Sequence, residues 1–460
     1  MAYLGSTPET QTFTSGTDYF NGDGISVSFT LSRPVASVND IDVVVSNVVQ
    51  QPSTAYSVSG TTITFTSAPP AGTANVYARY LSTATQTLTP SPGTVGTSQI
   101  SPSLTNVPFF GGSTLGAGNA TGMKNRLING GMAIDQRATS VTTANWTVDR
   151  FYYNTNVASK ATIAKNTAVY PNGFIASLGA TSSSAYSLSS TEYFGLQQPV
   201  EGLNVSDLAW GTANAKTVTL SFWVRSSLTG TFGGSLRNSA VTRSYPFSYT
   251  ISSADTWEQK SITVVGDTTG TWLTTNEVGI FVHFALGAGS TLSAAAGAWA
   301  AGNYVSATGA TSVVGTSGAT FYITGAQLEE GNAATSFEFR DYGREFMMCQ
   351  RYYYKTKAAD TNDLFAVGWC VSTTVAAVSV PFPVSMRTNP TALEQSGTAA
   401  NYQTVFAASA AALSAVPAFT TASTNSARVE CTVASVMTAG QGVGLRAGST
   451  AAYLAWSAEL

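Results

Sequence analysis

The sequence predicts an all-β, multidomain protein, and three of its features carry that prediction. Charged residues make up only 10% of the chain, against the roughly 25% usual for soluble globular proteins. Ser, Thr, Ala and 42 Gly fill the balance, and the 43% apolar content is enough to bury several cores. Short period-two segments recur between turns rich in Gly and Pro, which is the pattern of half-buried strands. At 460 residues the chain exceeds one ordinary domain.

Residues 1–84 read as a small antiparallel β-domain. NGDG at 21–24 supplies a turn, after which Ile25, Val27, Phe29 and Leu31 alternate with Ser26, Ser28 and Thr30. Further strands are expected at 41–45, 56–58, 62–66 and 75–81, with Ser59-Gly60 as a hairpin tip and APPAG at 68–72 as another turn. Residues 85–122 include TPSPGTVGTSQISPS and GGSTLGAGNATG, hold no apolar periodicity, and read as a linker.

Residues 123–340 form the largest domain. Val218, Leu220, Phe222 and Val224 face one way along a strand, and Thr217, Thr219, Ser221, Trp223 and Arg225 face the other. Ile280, Val282, Phe284 and Leu286 repeat the pattern, with Phe281 and His283 opposite. Short strands of this kind between Gly-rich turns predict a jelly-roll β-sandwich. The Ala/Gly/Ser stretch at 285–320 reads as a long surface loop carrying Trp299. Residues 341–460 are expected to open with a short helix at about 341–350, capped by Asp341, with Phe346, Met347 and Cys349 on its apolar side. Strands then resume as a C-terminal β-domain, clearest at 366–371, at 376–382 and in Val429, Cys431 and Val433.

Several function classes are excluded by composition. A net charge of −3 with 21 scattered Lys and Arg offers no basic stripe for nucleic acid. Apolar runs fall short of the roughly 20 residues of a membrane span, and no secretory signal is expected at the N-terminus. Cys349, Cys370 and Cys431 are odd in number and lack CxxC spacing, so packed, reduced thiols are expected rather than disulfides or zinc. Asp135 and Asp149 are too few for a calcium site, and neither metal nor cofactor is expected.

Catalysis finds little support in the residues. Glycan hydrolysis requires two carboxyl groups at a set separation; Glu329-Glu330 is an adjacent pair but reads as a solvated turn at a strand end. His283 is the only histidine, without a G-x-S-x-G elbow or a ligand cluster, and reads as a structural or interface residue. No repeat of 20–50 residues suggests a solenoid. Sugar binding instead needs flat apolar faces beside polar partners. Trp223 is the first candidate, because it lies opposite the buried aliphatics and beside Arg225; packing under a loop or a neighbouring subunit is its competing reading. Trp299 and Tyr304 follow, while Trp146 and Trp257 read as core or edge residues.

Four phrases carry a family resemblance: MKNRLINGGMAIDQR at 123–137, NWTVDRFYY at 145–153, QLEEG at 327–331 and EFMMCQRYYYK at 345–355. Together they resemble the receptor-facing part of a bacteriophage tail fibre, whose middle domain is similar to a carbohydrate-binding-module jelly roll. The segment at 50–81 resembles the virion-attaching N-terminal domain of fibres from short-tailed phages, marine and cyanobacterial ones especially. FPVSMRTNPT at 382–391 and AYLAWSAEL at 452–460 recur in phage proteins beside such a domain. The resemblance implies a non-enzymatic homotrimer in the virion tail, made in the host bacterial cytoplasm. It would attach through 1–84 to a tail adaptor or nozzle protein and recognise a host surface polysaccharide through its distal β-domains. Asp149 with Arg150, and Arg351 with Tyr352–Tyr354, belong to the shared phrases and are expected to serve folding or trimerisation. Two other classes stay open: a structural head, neck or adaptor appendage, and a glycan-degrading tailspike.

Overall fold

The computed structural model describes residues 16–81 and 123–460, apart from Thr139, Ala408 and Ser435. The expected linker at 85–122 lies outside the described residues. The chain divides into two compact units, Met1–Val107 and Pro108–Leu460. Almost all pairing is antiparallel, and one α-helix, Tyr342–Gln350, is present among the described residues. The protein is all-β and multidomain.

In the first unit, Thr17–Gly22, Gly72–Tyr80, Ile41–Val45 and Val48–Val49 form a four-stranded sheet, and Ser28–Val35 pairs with Tyr56–Phe65. Leu31, Ile41, Val43, Tyr56, Ile63, Val76 and Ala78 are central to its core. Two expectations are corrected. Ile25 and Val27 are exposed rather than half-buried, because the Asp23 carboxylate accepts from the backbone N–H groups of Ile25 (2.8 Å) and Ser26 (2.6 Å). That side-chain turn delays the strand to Ser28. Ser59-Gly60 is not a hairpin tip. The strand continues through it, and Gly60 takes φ +58°, which glycine adopts without a Cβ clash.

The second unit opens with a two-sheet sandwich. One sheet has five strands in the order Glu258–Val264, Val218–Ser226, Thr320–Glu330, Ser177–Ser182 and Ala161–Asn166. The other has seven: Ala300–Ala301, Arg243–Ile251, Gly230–Arg237, Val278–Ala288, Tyr193–Glu201, Tyr152–Thr155 and Asn145–Trp146. The chain passes repeatedly from one sheet to the other. Val218, Leu220, Phe222 and Val224 meet Ile280, Val282, Phe284 and Leu286 in the core, all essentially inaccessible, so both predicted alternations hold. The stretch at 285–320 is not a free loop. Val305, Val313 and Val314 are buried, and the stretch adds short strands at Ser293–Ala294, Ala300–Ala301 and Ser306–Ala307.

After the sandwich, the Asp341 carboxylate caps the helix by accepting from the Arg344 N–H at 3.1 Å. Phe346, Met348 and Cys349 face Ile128, Ile134 and Tyr352, while Met347 is exposed; the apolar side thus carries Met348 in place of Met347. A C-terminal seven-stranded sheet runs Ser409–Ala412, Tyr402–Phe406, Gly442–Ala447, Leu364–Cys370, Val375–Pro381, Ser426–Thr432 and Ala418–Ala422. Beside it lies a three-stranded sheet of Tyr353–Lys357, Tyr453–Ser457 and Glu394–Gln395. Val429, Cys431 and Val433 are buried as their alternation requires, and all three cysteines are free and buried.

The shared phrases converge where the sandwich meets this domain. Arg150 pairs with Glu459, donates to the Pro199 carbonyl at 2.6 Å, and stacks 3.5 Å from the Tyr352 ring centre. Arg137 pairs with Glu459 at 3.3 Å and stacks on Tyr353. Arg351 grips Glu201 through two bonds of 2.6 and 3.0 Å, and the Tyr352 hydroxyl donates to the same carboxylate. Arg387 donates to the carbonyls of Asn276, Ala458 and Glu459, each at 2.8 Å. Tyr352 and Tyr353 are buried inside one chain, so these two members of the phrases pack within the chain. The solvated reading of Glu329 is also corrected: it is buried and accepts from the Thr335 N–H and hydroxyl at 2.8 and 2.6 Å. Glu330, at the edge, pairs with Lys216.

Candidate functional site

Strand pairing in the seven-stranded sheet of the sandwich aligns residues that are far apart in the sequence. On the face turned away from the core, Pro246, Ser235, His283, Gln197, Tyr152 and Trp146 form one transverse row across six strands. Ser244, Arg237, Phe281 and Pro199 form the next. Residues at alternate positions on these same strands fill the core, which is why the polar and aromatic ones emerge together. Gly195, beside His283, is required for close approach: a Cβ there would stand 2.2 Å from His283 Nε2.

One end of the first row is open and aromatic. Tyr152 and Trp146 are half-buried, with ring centres 5.1 Å apart in an edge-on arrangement. The other end is polar and covered by the chain around Gly302–Tyr304. There the Ser244 hydroxyl donates to the Gly302 carbonyl (2.5 Å) and accepts from the Tyr304 N–H (3.0 Å). Arg237 donates to Asn303 Oδ1 at 2.6 Å and to Gln197 Oε1, which also accepts from Asn154 at 3.0 Å.

Four buried polar atoms of these rows have no hydrogen-bond partner among the described residues: both ring nitrogens of His283, Ser235 Oγ and Arg237 Nε. Leaving such groups unpaired costs about 1–3 kcal/mol each. Burial, and secondarily the charge of Arg237, pushes His283 well below the ordinary imidazole value. The ring is therefore neutral at pH 7, offering one donor and one acceptor. Burial lowers the Arg237 guanidinium to about 10, which leaves it charged at neutral pH. The face thus combines an aromatic platform with fixed, unspent donors and acceptors.

The sequence-predicted residues divide among three places. Tyr304 adjoins the second row through Ser244. Trp223 and Arg225 lie on the outward face of the opposite, five-stranded sheet, where Arg225 is engaged by Asp255 (3.0 Å) and rests over the Tyr322 ring. Trp299 packs edge-on against Trp210, Trp272 and Tyr245, and its indole N–H donates to the Val265 carbonyl at 2.7 Å. Most of its binding capacity is used internally. Trp223 and Phe174 both crowd Gly325, and Phe174 leads into a cleft of about 240 Å³ lined also by Ile175, Phe337, Phe339 and Tyr342. The cation of that cleft, Arg340, is neutralised by Glu338 (2.8 Å) and Glu345 (3.1 Å). Sequence reasoning missed both the cleft and the row. The alternation of Tyr152 and Tyr153 within NWTVDRFYY was the available signal for one member of the row, while Trp146 had read as a core or edge residue.

Among the described residues no group of three or more His, Cys, Asp or Glu is placed to hold a metal, and no helix is long and apolar enough to cross a membrane.

No protein family's profile matches this chain, and no curated protein does. Solved structures give faint likenesses. The enzymatically active domain of tailspike protein 4 from bacteriophage CBA120 is 12% identical, with a TM-score of 0.25, over 45% of this chain and 21% of its own. The CBM22-1 xylan-binding domain of Paenibacillus barcinonensis Xyn10C is 8% identical over 44% of this chain and 98% of its own, with a TM-score of 0.21. The family 11 carbohydrate-binding module from Clostridium thermocellum, in complex with a β-1,3-1,4-mixed-linked tetrasaccharide, is 10% identical over 42% and 96%, also at 0.21. Likenesses this slight carry nothing about ligand or role.

Proposed function

We propose that this chain is a virion appendage of the tail-fibre type that binds a host surface glycan on the outward face of the seven-stranded sandwich sheet, without catalysis. The observation that carries the binding reading is the transverse row: aromatic Trp146 and Tyr152 continue through Gln197 to His283 and Ser235, and the buried polar side-chain atoms of these last two have no partner among the described residues. Sugars present apolar C–H faces and many hydroxyls, and this row offers a partner for each. None of the residues in the two rows is a carboxylate, whereas glycoside hydrolysis uses two. The phage assignment rests on the phrases of the sequence. Attachment through 1–84 to a tail adaptor or nozzle protein belongs to the same reading.

The test is competition for adsorption. Purified protein should block virions from host cells, and Tyr152→Ala should weaken that block roughly tenfold or more, as loss of an aromatic anchor does, with its melting temperature nearly unchanged. Trp223→Ala is the counter-test. If it abolishes binding while Tyr152→Ala does not, the site belongs on the opposite sheet. Protein that never competes would favour a purely structural appendage.

A homotrimer is part of the proposal. Leu364, Val367 and Trp369 remain exposed along a central strand of the C-terminal sheet, and Val371 just beyond its end, an apolar line that further copies of the chain would cover. Sedimentation should give a single species of three chains; a stable monomer at nanomolar concentration would remove this element.

A further inference from the structure

Arg237 is a buried cation without an anion. It is 3% exposed, and its two Nη groups donate to the amide oxygens of Gln197 and Asn303, both neutral. Its Nε has no partner among the described residues, and the Phe281 ring lies 5.5 Å from the guanidinium carbon. The other buried guanidinium groups of this unit are treated differently: Arg150 has Glu459, and Arg340 has Glu338 and Glu345. Taking a charge out of water is costly unless a counter-charge and further hydrogen bonds compensate. Here an opposite charge is missing among the described residues, although the same fold supplies one elsewhere.

Further polar groups without partners lie beside Arg237. Ser235 Oγ and the two nitrogens of His283 lie one position along on the same face, also buried and unpaired. Asn303 belongs to the covering segment, held to the sheet by Ser244. Its amide oxygen and that of Gln197 each accept from one Nη of Arg237, and a carboxylate can accept from a guanidinium fork through both of its oxygens.

We infer that this face is specific for an acidic glycan, a polymer containing uronic or other carboxylated sugars, whose carboxylate replaces the two amide oxygens on Arg237. This inference rests on the glycan-binding reading of the same face and names the class of sugar. The sugar ring then extends toward Tyr152 and Trp146, which are half-buried. Because Arg237 is already buried, the contribution of the carboxylate is weakly screened by salt, unlike that of a surface charge.

The experiment uses the full chain and paired oligosaccharides: oligogalacturonate, oligoguluronate and oligosialic acid, each beside its carboxyl-reduced, neutral form, with neutral xylan and mixed-linkage glucan fragments. Calorimetry at two salt concentrations reads the affinity. The expected result is binding to at least one acidic member that falls roughly ten- to hundredfold on carboxyl reduction, the range of a charge-assisted hydrogen-bond pair, and that changes little with salt. Arg237→Met should erase the difference between the paired forms, and Arg237→Lys should retain part of it. Should Arg237→Met fail to fold, the paired ligands on the unmodified protein still decide. Equal binding to acidic and reduced forms, or a preference for the neutral fragments, overturns the acidic assignment and leaves glycan binding standing. Failure to bind any member counts against both.

Discussion

Replacing Glu459 by Ala is expected to destabilise the second unit by about 3–5 kcal/mol, the usual cost of removing one partner from a buried ion pair. Arg150 and Glu459 are 1% and 3% exposed at their side chains, and Arg137 leans on the same carboxylate. Truncation strands the nearly inaccessible Arg150 guanidinium beside the Tyr352 ring and leaves Arg137, over the Tyr353 ring, with only Asp149 at 3.9 Å. The cost falls on the joint between the sandwich and the C-terminal domain. Urea unfolding should therefore show either a lower midpoint for the whole unit or separation into two transitions, which would mark the loss of two-state behaviour. Pairing Glu459→Leu with Arg150→Met should recover much of the loss, because a well-packed apolar pair often replaces a buried ion pair without penalty. A loss below about 1 kcal/mol for Glu459→Ala, on the scale of an exposed pair, would mean that the joint is not what ties these domains together.

Phe222→Ala is expected to cost a similar amount, about 3–5 kcal/mol, by opening a cavity between the two sheets of the sandwich. Phe222 is fully buried and meets Tyr249 and Phe284 edge-on, with ring centres 5.0 Å away in both cases. Those partners belong to the seven-stranded sheet and Phe222 to the five-stranded one, so the loss is of contact across the sandwich. Phe222→Leu should cost much less, since it preserves most of the buried volume. Denaturant midpoints for the two variants measure the difference directly. If both are equally mild, the core relaxes around the site and the packing described here is not limiting.

The two variants also mark what each level of information supplied. The core face containing Phe222 was legible in the sequence, because the side-chain period of a strand is two and a half-buried strand must alternate. Val218 to Val224, Ile280 to Leu286 and Val429 to Val433 announce themselves this way, as does the Asp341 cap. All-β architecture follows from the same local facts. Alternation was misleading where a side chain competes for the backbone, as Asp23 does before Ser28, and where glycine lets a strand run on, as at Gly60.

The candidate site belongs to the other category. Trp146, Tyr152, Gln197, Ser235 and His283 span more than a hundred positions, and no local pattern relates them. They become a row only because antiparallel hydrogen-bond ladders set the register among the strands, and a one-residue slip in any of them would turn its side chains to the opposite face. The same reasoning explains why Trp299 read as an exposed platform: its short-range context is Ala and Gly, while the tryptophans it packs on lie 27 or more residues away. Arg150 and Glu459 are separated by 309 positions, and only folding shows that one neutralises the other while Arg237 has no such partner among the described residues. The sequence by itself thus determined which residues face inward along each strand, a matter of local period. Which outward residues stand together, and which buried charges are compensated, depended on long-range pairing, and the tertiary structure alone decided them.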